Sequence, residues 1–148
     1  MPYWRLYYHL IWATRDRNPL IEAEMWPELR RLFLLTAHKN ELKIHGVGGV
    51  ADHVHLAVSI PPAMPVATAV GRLKGSSSRI LSQNLGTEFS WQAEYGVVSF
   101  AERHLPPVLA YISDQARHHA TNRLWPALEQ LGETKSDPSS VPFTGLVD

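Results

Sequence analysis

Two segments of helical spacing, each set between runs of β-forming residues, govern what this chain can fold into. Tyr7 to Thr14 is rich in aromatic and β-branched residues and reads as a strand. Glu22 to Asn40 carries Met25, Leu29, Leu32, Phe33 and Ala37 at helical spacing, with acids in its first turn. Lys43 to Val50 predicts a second strand, GGVAD contains a turn, and His53 to Ile60 predicts a third strand. PPAMP then breaks the chain. Val66 to Leu85 follows as a second helix, with Val66, Val70, Leu73, Ile80 and Leu81 on one face. Phe89 to Phe100 predicts one or two short strands, and Glu102 to about Asn122 a last helix. The order β-α-β-β-α-β plus a helix predicts an α+β, ferredoxin-like (split βαβ) antiparallel sheet. Two helices should cover one sheet face and leave the other free. No internal repeat is present. Residues 1–132 read as one domain, and 133–148, rich in Pro and Ser, as an irregular tail.

Composition narrows the class. At 148 residues with 45% hydrophobic content, one core-forming domain is expected. There is no cysteine, which excludes a disulfide frame, a zinc ribbon and thiol catalysis, and fits a reducing cytoplasm. The N-terminus lacks the uninterrupted apolar stretch and small-residue cleavage site of a signal peptide, and no run approaches a membrane span. Net charge is zero, but its distribution is uneven. Residues 1–79 hold ten Lys/Arg against six Asp/Glu, whereas 80–148 hold four against eight. Such asymmetry can place a basic face on a neutral chain.

Two patterns carry chemistry. In DHVHLAVSIP, His53 and His55 lie one residue apart on a strand, so their side chains share a face. Two imidazoles at that spacing can hold one divalent metal, or sit as ordinary polar residues on a wet sheet face. In LAYISDQARHHATN, Tyr111, Gln115, His118 and Asn122 form one polar stripe on a helix, beside the apolar stripe Val108, Leu109, Ile112 and Ala116. That stripe either presents a phenol at the rim of a buried face or is an amphipathic helix boundary.

These motifs, taken with YHLIWATRDRNPL, LKGSSSRIL and WQAEYGVVS in the same order, resemble the single-tyrosine HUH transposases of small bacterial insertion sequences. They equally resemble the related REP-associated tyrosine transposases. The likeness spans roughly residues 7 to 122. His53-Val54-His55 matches the His-hydrophobic-His motif, and Tyr111 with Gln115 matches Tyr-x-x-x-Gln. The resemblance implies metal-dependent cleavage and rejoining of single-stranded DNA marked by hairpins. Tyr111 is then the nucleophile of a 5′-phosphotyrosine intermediate. His53, His55 and Gln115 are the ligands of Mg²⁺ or Mn²⁺, although imidazole by itself suits softer ions. No nucleotide cofactor is needed, because the phosphotyrosine keeps the bond energy. Family members work as homodimers whose sites are shared between subunits. The proline-stiffened HLPP, residues 104 to 107, could direct the last helix away from its own sheet to do so.

The remaining assignments are expectations of the same kind. Arg72, Lys74 and Arg79, with Ser76, Ser77 and Ser78, should meet phosphates, and Arg15 and Arg17 are further DNA-binding candidates. Trp4, Trp12 and Trp91 stack bases or, for at least two of them, pack in the core. His118 is a supporting group near the site. His9, His45, His104 and His119 read as surface or hydrogen-bonded histidines, and Asp52 as the end of the preceding turn. Two other phosphate enzymes and one binder are disfavoured. Ala57 interrupts a third alternating histidine, and no paired His-x-Thr/Ser motif is present. The paired aromatics of an RNA-recognition strand are also missing. A non-catalytic or domesticated nucleic-acid-binding protein on the same fold stays open as the alternative.

Overall fold

The structure, a computed structural model, describes residues 3–131 apart from 87 and 122, with the side chains of residues 85 and 116 also left aside. Residues 133–148, expected to form an irregular tail, lie outside the described residues, as does Asn122 of the polar stripe. The described elements follow the expected order: β1 (Tyr7–Ala13), α1 (Trp26–Lys39), β2 (Lys43–Val50), β3 (His53–Ser59), α2 (Val66–Leu85), β4 (Gly96–Phe100), α3 (Leu105–Ser113) and α4 (Gln115–Ala120). The sheet order is β2-β3-β1-β4 with every neighbour antiparallel, the split-βαβ arrangement.

Local chemistry accounts for the boundaries. Pro27 sits in the first turn of α1, where a missing N–H costs nothing, so the helix starts later than its acidic leader suggests. Ala23–Met25 forms a 3₁₀ turn ahead of it. At its other end Asn40 donates Nδ2 to the Thr36 carbonyl. Gly86, with φ 64°, ends α2 in the left-handed conformation that only glycine adopts freely. Only one strand forms in the 89–100 region, with Trp91 adding an isolated bridge to Thr14.

Alternation along the two central strands sorts their side chains. Leu10 and Trp12 of β1, with Val54, Leu56 and Val58 of β3, join Leu29, Phe33, Leu73 and Leu81 from α1 and α2 in the main core. Burial of each large aliphatic or aromatic side chain there contributes about 1.5–3 kcal/mol. Trp12 packs edge-on against Phe33 and Trp91, which settles two of the three tryptophans in the core. The opposite sheet face is not free. There Tyr7, Ala57 and Phe100 pack with Val108 and Ile112 of α3 in a second, smaller cluster. Both faces of β3 are therefore covered, and all seven of its residues are buried.

Candidate active site on the second sheet face

Register places the histidines. His55 of β3 stands opposite Ile11 and His53 opposite Ala13, while His9 stands opposite Ala57. All three histidines thus share the face that α3 covers. His53 and His55 are 1% and 0% exposed, so they are not the solvent-facing pair that a bare strand pattern allows. Each is oriented through its other ring nitrogen. His53 Nδ1 lies 2.7 Å from Asp52 Oδ1, and His55 Nδ1 lies 2.8 Å from His9 Nε2. Asp52 also ends the turn as expected, since its carbonyl accepts from the Thr14 N–H and hydroxyl. Its carboxylate does a second job by holding the His53 ring. Burial lowers the pKa of His53 and His55, so both rings are neutral near pH 7.

The helix that brings the phenol is seated by glycine. A Cβ at Gly46 would lie 2.7 Å from Leu109 Cδ2, and one at Gly48 would lie 2.0 Å from the Ile112 carbonyl oxygen. The edge strand β2 thereby forms a notch that admits α3. The expectation that HLPP steers the last helix away from its own sheet is corrected: Pro106 and Pro107 occupy the first turn of α3, which tolerates them, and α3 lies on β2 and β3 of its own chain. Tyr111 is consequently buried, with its ring 5.8 Å from that of His55.

The last helix is also not continuous. Asp114, at φ −118° and ψ 34°, breaks it between α3 and α4. Gln115 survives as Tyr111's neighbour, donating Nε2 to the Tyr111 carbonyl at 2.9 Å. Its Oε1 lies 3.2 Å from His119 Nε2. His118, expected as a supporting group near the site, lies against the Tyr111 ring, centroid to centroid 4.7 Å. His119, expected to be a surface or hydrogen-bonded histidine, makes that contact with Gln115 and also lies with its ring 4.7 Å from that of His53.

Glu129 escaped the sequence reading altogether. A 3₁₀ turn at Pro126–Leu128 buries Leu128 fully and lays the following residues across the sheet. Gly96 makes room for it, because a Cβ there would lie 1.7 Å from the Gln130 carbonyl oxygen. Glu129 Oε1 then accepts the Tyr111 hydroxyl at 2.5 Å and stands 3.3 Å from His55 Nε2. Its Oε2 stands 3.6 Å from His53 Nε2. The apolar residues of WPALEQL were the available signal, since a turn so rich in them packs against something. Burial pushes the Tyr111 phenol up to about 12, helped by its hydrogen bond to Glu129. Burial also raises the Glu129 carboxyl, but contacts with His55 and Tyr111 outweigh it and hold the group at about 2.

Donor atoms of His53, His55, His119 and Glu129 all lie within 4.8 Å of one another. His53 Nε2 and His55 Nε2 are buried without a hydrogen-bond partner. With Nδ1 of His53 engaged by Asp52, its Nε2 lone pair faces a carboxylate oxygen. Such a convergence of electron-rich atoms is what a cation relieves, so these residues fit a metal.

The basic candidates divide. Arg72 and Arg79 are exposed on α2 and, with Lys39 of α1, line a cleft of about 310 Å³ between the two helices. Ser76 lies in the same cleft but hydrogen-bonds Thr36. Lys74 points elsewhere. Its Nζ donates to the carbonyls of Gln92, Ala93 and Glu94, fastening the loop before β4. Ser77 is fully buried, donates to the Leu73 carbonyl and accepts the Trp91 indole N–H, so it cannot meet a phosphate. Ser78 donates to the Gly75 carbonyl. Arg15 pairs with Glu88, and Arg17 stands 3.7 Å from the Asp52 carboxylate that orients His53. Among the described residues, no helix is long and apolar enough to cross a membrane.

Comparison with known proteins identifies the family and the fold. The family described as "Transposase IS200 like" matches residues 2–115. The ISDra2 transposase TnpA of Deinococcus radiodurans is 28% identical over 119 residues, covering 76% of this chain and 85% of the relative. The transposase for insertion sequence element IS200 of Salmonella typhimurium is 26% identical over 145 residues, covering 96% of this chain and 91% of the relative. A crystal structure of a Deinococcus radiodurans protein described as a transposase superposes with a TM-score of 0.63 at 26% identity, over 78% of this chain and 95% of that one. The fold also matches a REP-associated tyrosine transposase bound to a REP hairpin, with a TM-score of 0.61 at 12% identity, over 93% of this chain and 96% of that one. The chain belongs to the IS200-like transposase family.

Proposed function

We propose that this transposase cleaves and rejoins single-stranded DNA at hairpin-marked sites, with Tyr111 as the nucleophile. The observation that carries the reading is the position of the Tyr111 hydroxyl. It shares the Glu129 carboxylate with the histidine pair, at 2.5 Å, 3.3 Å and 3.6 Å for Tyr111, His55 and His53. Attack by the phenolic oxygen on a phosphodiester forms a Tyr–O–P bond and breaks the bond from phosphorus to the 3′ oxygen. A 3′-OH departs, and the 5′ side stays on the protein. The phenolic proton already lies on a hydrogen bond to Glu129, its nearest acceptor. Attack by another 3′-OH reverses the step, so no nucleotide cofactor enters.

His53 and His55 are the residues that hold a divalent cation in this reading, with the Gln115 amide oxygen as the third donor expected from the family resemblance. Mg²⁺ or Mn²⁺ is the corresponding cofactor. When bound, the cation supplies positive charge against the non-bridging oxygens of the scissile phosphate. The Asp52 and His9 contacts keep the two imidazoles turned toward it.

Exposed Arg72, Arg79 and Lys39 are the phosphate contacts favoured for the DNA strand. A hairpin partner is supported by the fold shared with a protein captured on one. The expected homodimer with shared sites takes a specific form here. Within one chain the phenol already reaches the pair, so sharing means that two copies exchange the segment from α3 to Glu129. Mixing Tyr111→Phe subunits with His53→Ala/His55→Ala subunits separates the cases. Cleavage returns if segments are exchanged, and stays absent in demonstrated heterodimers if they are not.

The main test is a covalent-adduct assay on single-stranded DNA carrying a hairpin, with Mn²⁺ or Mg²⁺ present. The native protein should give a protein–DNA species that survives denaturing electrophoresis. Tyr111→Phe should give none while binding the DNA nearly as well. An adduct from Tyr111→Phe sinks the assignment of the nucleophile. A native protein that binds without any adduct favours the domesticated, non-catalytic alternative.

A further inference from the structure

The family model matches residues 2–115 and so ends before His119 and Glu129, although the IS200 transposase of Salmonella typhimurium aligns over 145 residues. Yet these two side chains complete the cluster around the histidine pair. His119 Nε2 lies 3.5 Å from Glu129 Oε1, which itself lies 3.3 Å from His55 Nε2. Glu129 Oε2 lies 3.6 Å from His53 Nε2. Two donors each bound at 2.0–2.1 Å to one ion in tetrahedral geometry are separated by about 3.4 Å. The three observed spacings bracket that value.

The hydrogen-bond pattern points the same way. His53 Nε2 and His55 Nε2 are buried without partners. Their opposite nitrogens are engaged by Asp52 and His9, the outer contact that metal-bound imidazoles usually make. Position in the fold adds a third reason. The break at Asp114 carries His119 toward His53, and the notch at Gly96 carries Glu129 across the sheet. Without the break, a straight helix would turn His119 about 80° away from Tyr111 at 100° per residue.

We propose that His119 and Glu129 are metal ligands alongside His53 and His55, so that this chain holds a first-row transition ion in a set of three imidazoles and one carboxylate. The proposal rests on the histidine-pair metal reading given above and replaces its third donor, Gln115, whose Oε1 lies 3.2 Å from His119 Nε2. Three imidazoles favour ions such as Zn²⁺, Mn²⁺ or Co²⁺ over Mg²⁺, which prefers oxygen donors. Because Glu129 also accepts the Tyr111 hydroxyl, the same carboxylate ties the metal's position to the nucleophile's. The last described turn of the chain then belongs to the site, and the site is incomplete in any fragment ending at Gln115.

Two measurements without a catalytic readout test this. X-ray absorption on the full-length protein loaded with Zn²⁺ counts its imidazole ligands. Three support the proposal, and two overturn it. Calorimetric titration of chelator-treated protein with Mn²⁺, Co²⁺ and Mg²⁺ gives the second reading. Native protein should bind Mn²⁺ and Co²⁺ at least tenfold more tightly than Mg²⁺. Glu129→Gln, His119→Asn and His53→Ala should each weaken Co²⁺ binding at least tenfold, with far-ultraviolet circular dichroism confirming that each is folded. If His53→Ala weakens binding while folded Glu129→Gln and His119→Asn do not, this proposal fails and the histidine-pair reading stands. If His53→Ala also binds like the native protein, the metal reading itself fails.

Discussion

The hydroxyl of Tyr111 donates a 2.5 Å hydrogen bond to Glu129, 18 residues further along the chain, and accepts one from the Trp125 backbone N–H at 3.0 Å. The phenol is thus a clamp between α3 and the terminal turn as well as the proposed nucleophile. Tyr111→Phe should accordingly destabilise the protein. Two hydrogen bonds are lost, one of them charge-assisted, so a cost of about 1–3 kcal/mol is expected. Urea denaturation of chelator-treated protein should show a lower midpoint at unchanged slope. An unchanged midpoint would mean that the terminal turn is held without Tyr111.

Gly48→Ala should be damaging in a way that Gly71→Ala is not. The added Cβ at position 48 meets the Ile112 carbonyl at 2.0 Å, whereas at position 71, on α2, nothing lies within 4 Å. Lifting α3 from the sheet should cost about 1–3 kcal/mol and separate Tyr111 from the histidines. Gly71→Ala should instead stabilise by about 0.5–1 kcal/mol through helix propensity. Thermal melting of both variants checks the pair, and a neutral Gly48→Ala would disprove the notch.

Acid should unfold the metal-free protein through its buried neutral histidines. His9 is fully buried, and that burial lowers its pKa from 6.5 to about 3, with the neighbouring His55 adding to the effect. The folded state therefore refuses a proton that the unfolded chain accepts below about pH 6.5. Stability from this group is complete above pH 6.5 and is lost as pH falls from there toward 3. The slope from His9 alone approaches about 1.4 kcal/mol per pH unit. Denaturation curves of chelator-treated protein between pH 7 and pH 4 should show it, and folded His9→Gln should show a shallower fall. Equal slopes in the two proteins would remove His9 from the acid response.

Arg72 and Arg79 should separate from Lys74 in DNA binding. Replacing both arginines by Ala should lower affinity and reduce the log–log salt slope by roughly 0.7 for each lost contact to a single strand. Lys74→Met should leave that slope unchanged and instead lower the melting temperature, because Lys74 holds three loop carbonyls. Filter binding across a salt series tests both. A reduced slope in Lys74→Met would return that side chain to the DNA path.

By itself the sequence determined the element order, the sheet class, and the presence of His53, His55, Tyr111 and Gln115 in one family pattern. Those features are local: strand alternation, helical spacing and short motifs follow from neighbours in the chain. The ends of β2 and α2 were legible to the residue for the same reason. Tertiary structure decided what lies over the second sheet face. HLPP reads as a stiff connector, but the glycines that receive α3 sit on another strand, some sixty residues earlier. His119 reads as a surface or hydrogen-bonded histidine, and its approach to His53 follows only once the chain is folded past the helix break at Asp114. Lys74 and Ser77 read as phosphate contacts until the loop they hold is folded back upon α2. Glu129 carries no motif, and only the packing of Leu128 and the space above Gly96 bring its carboxylate to Tyr111 and the histidines. A carboxylate's partners are set by through-space distance, and that distance exists only once the sheet, α3 and the last turn have come together.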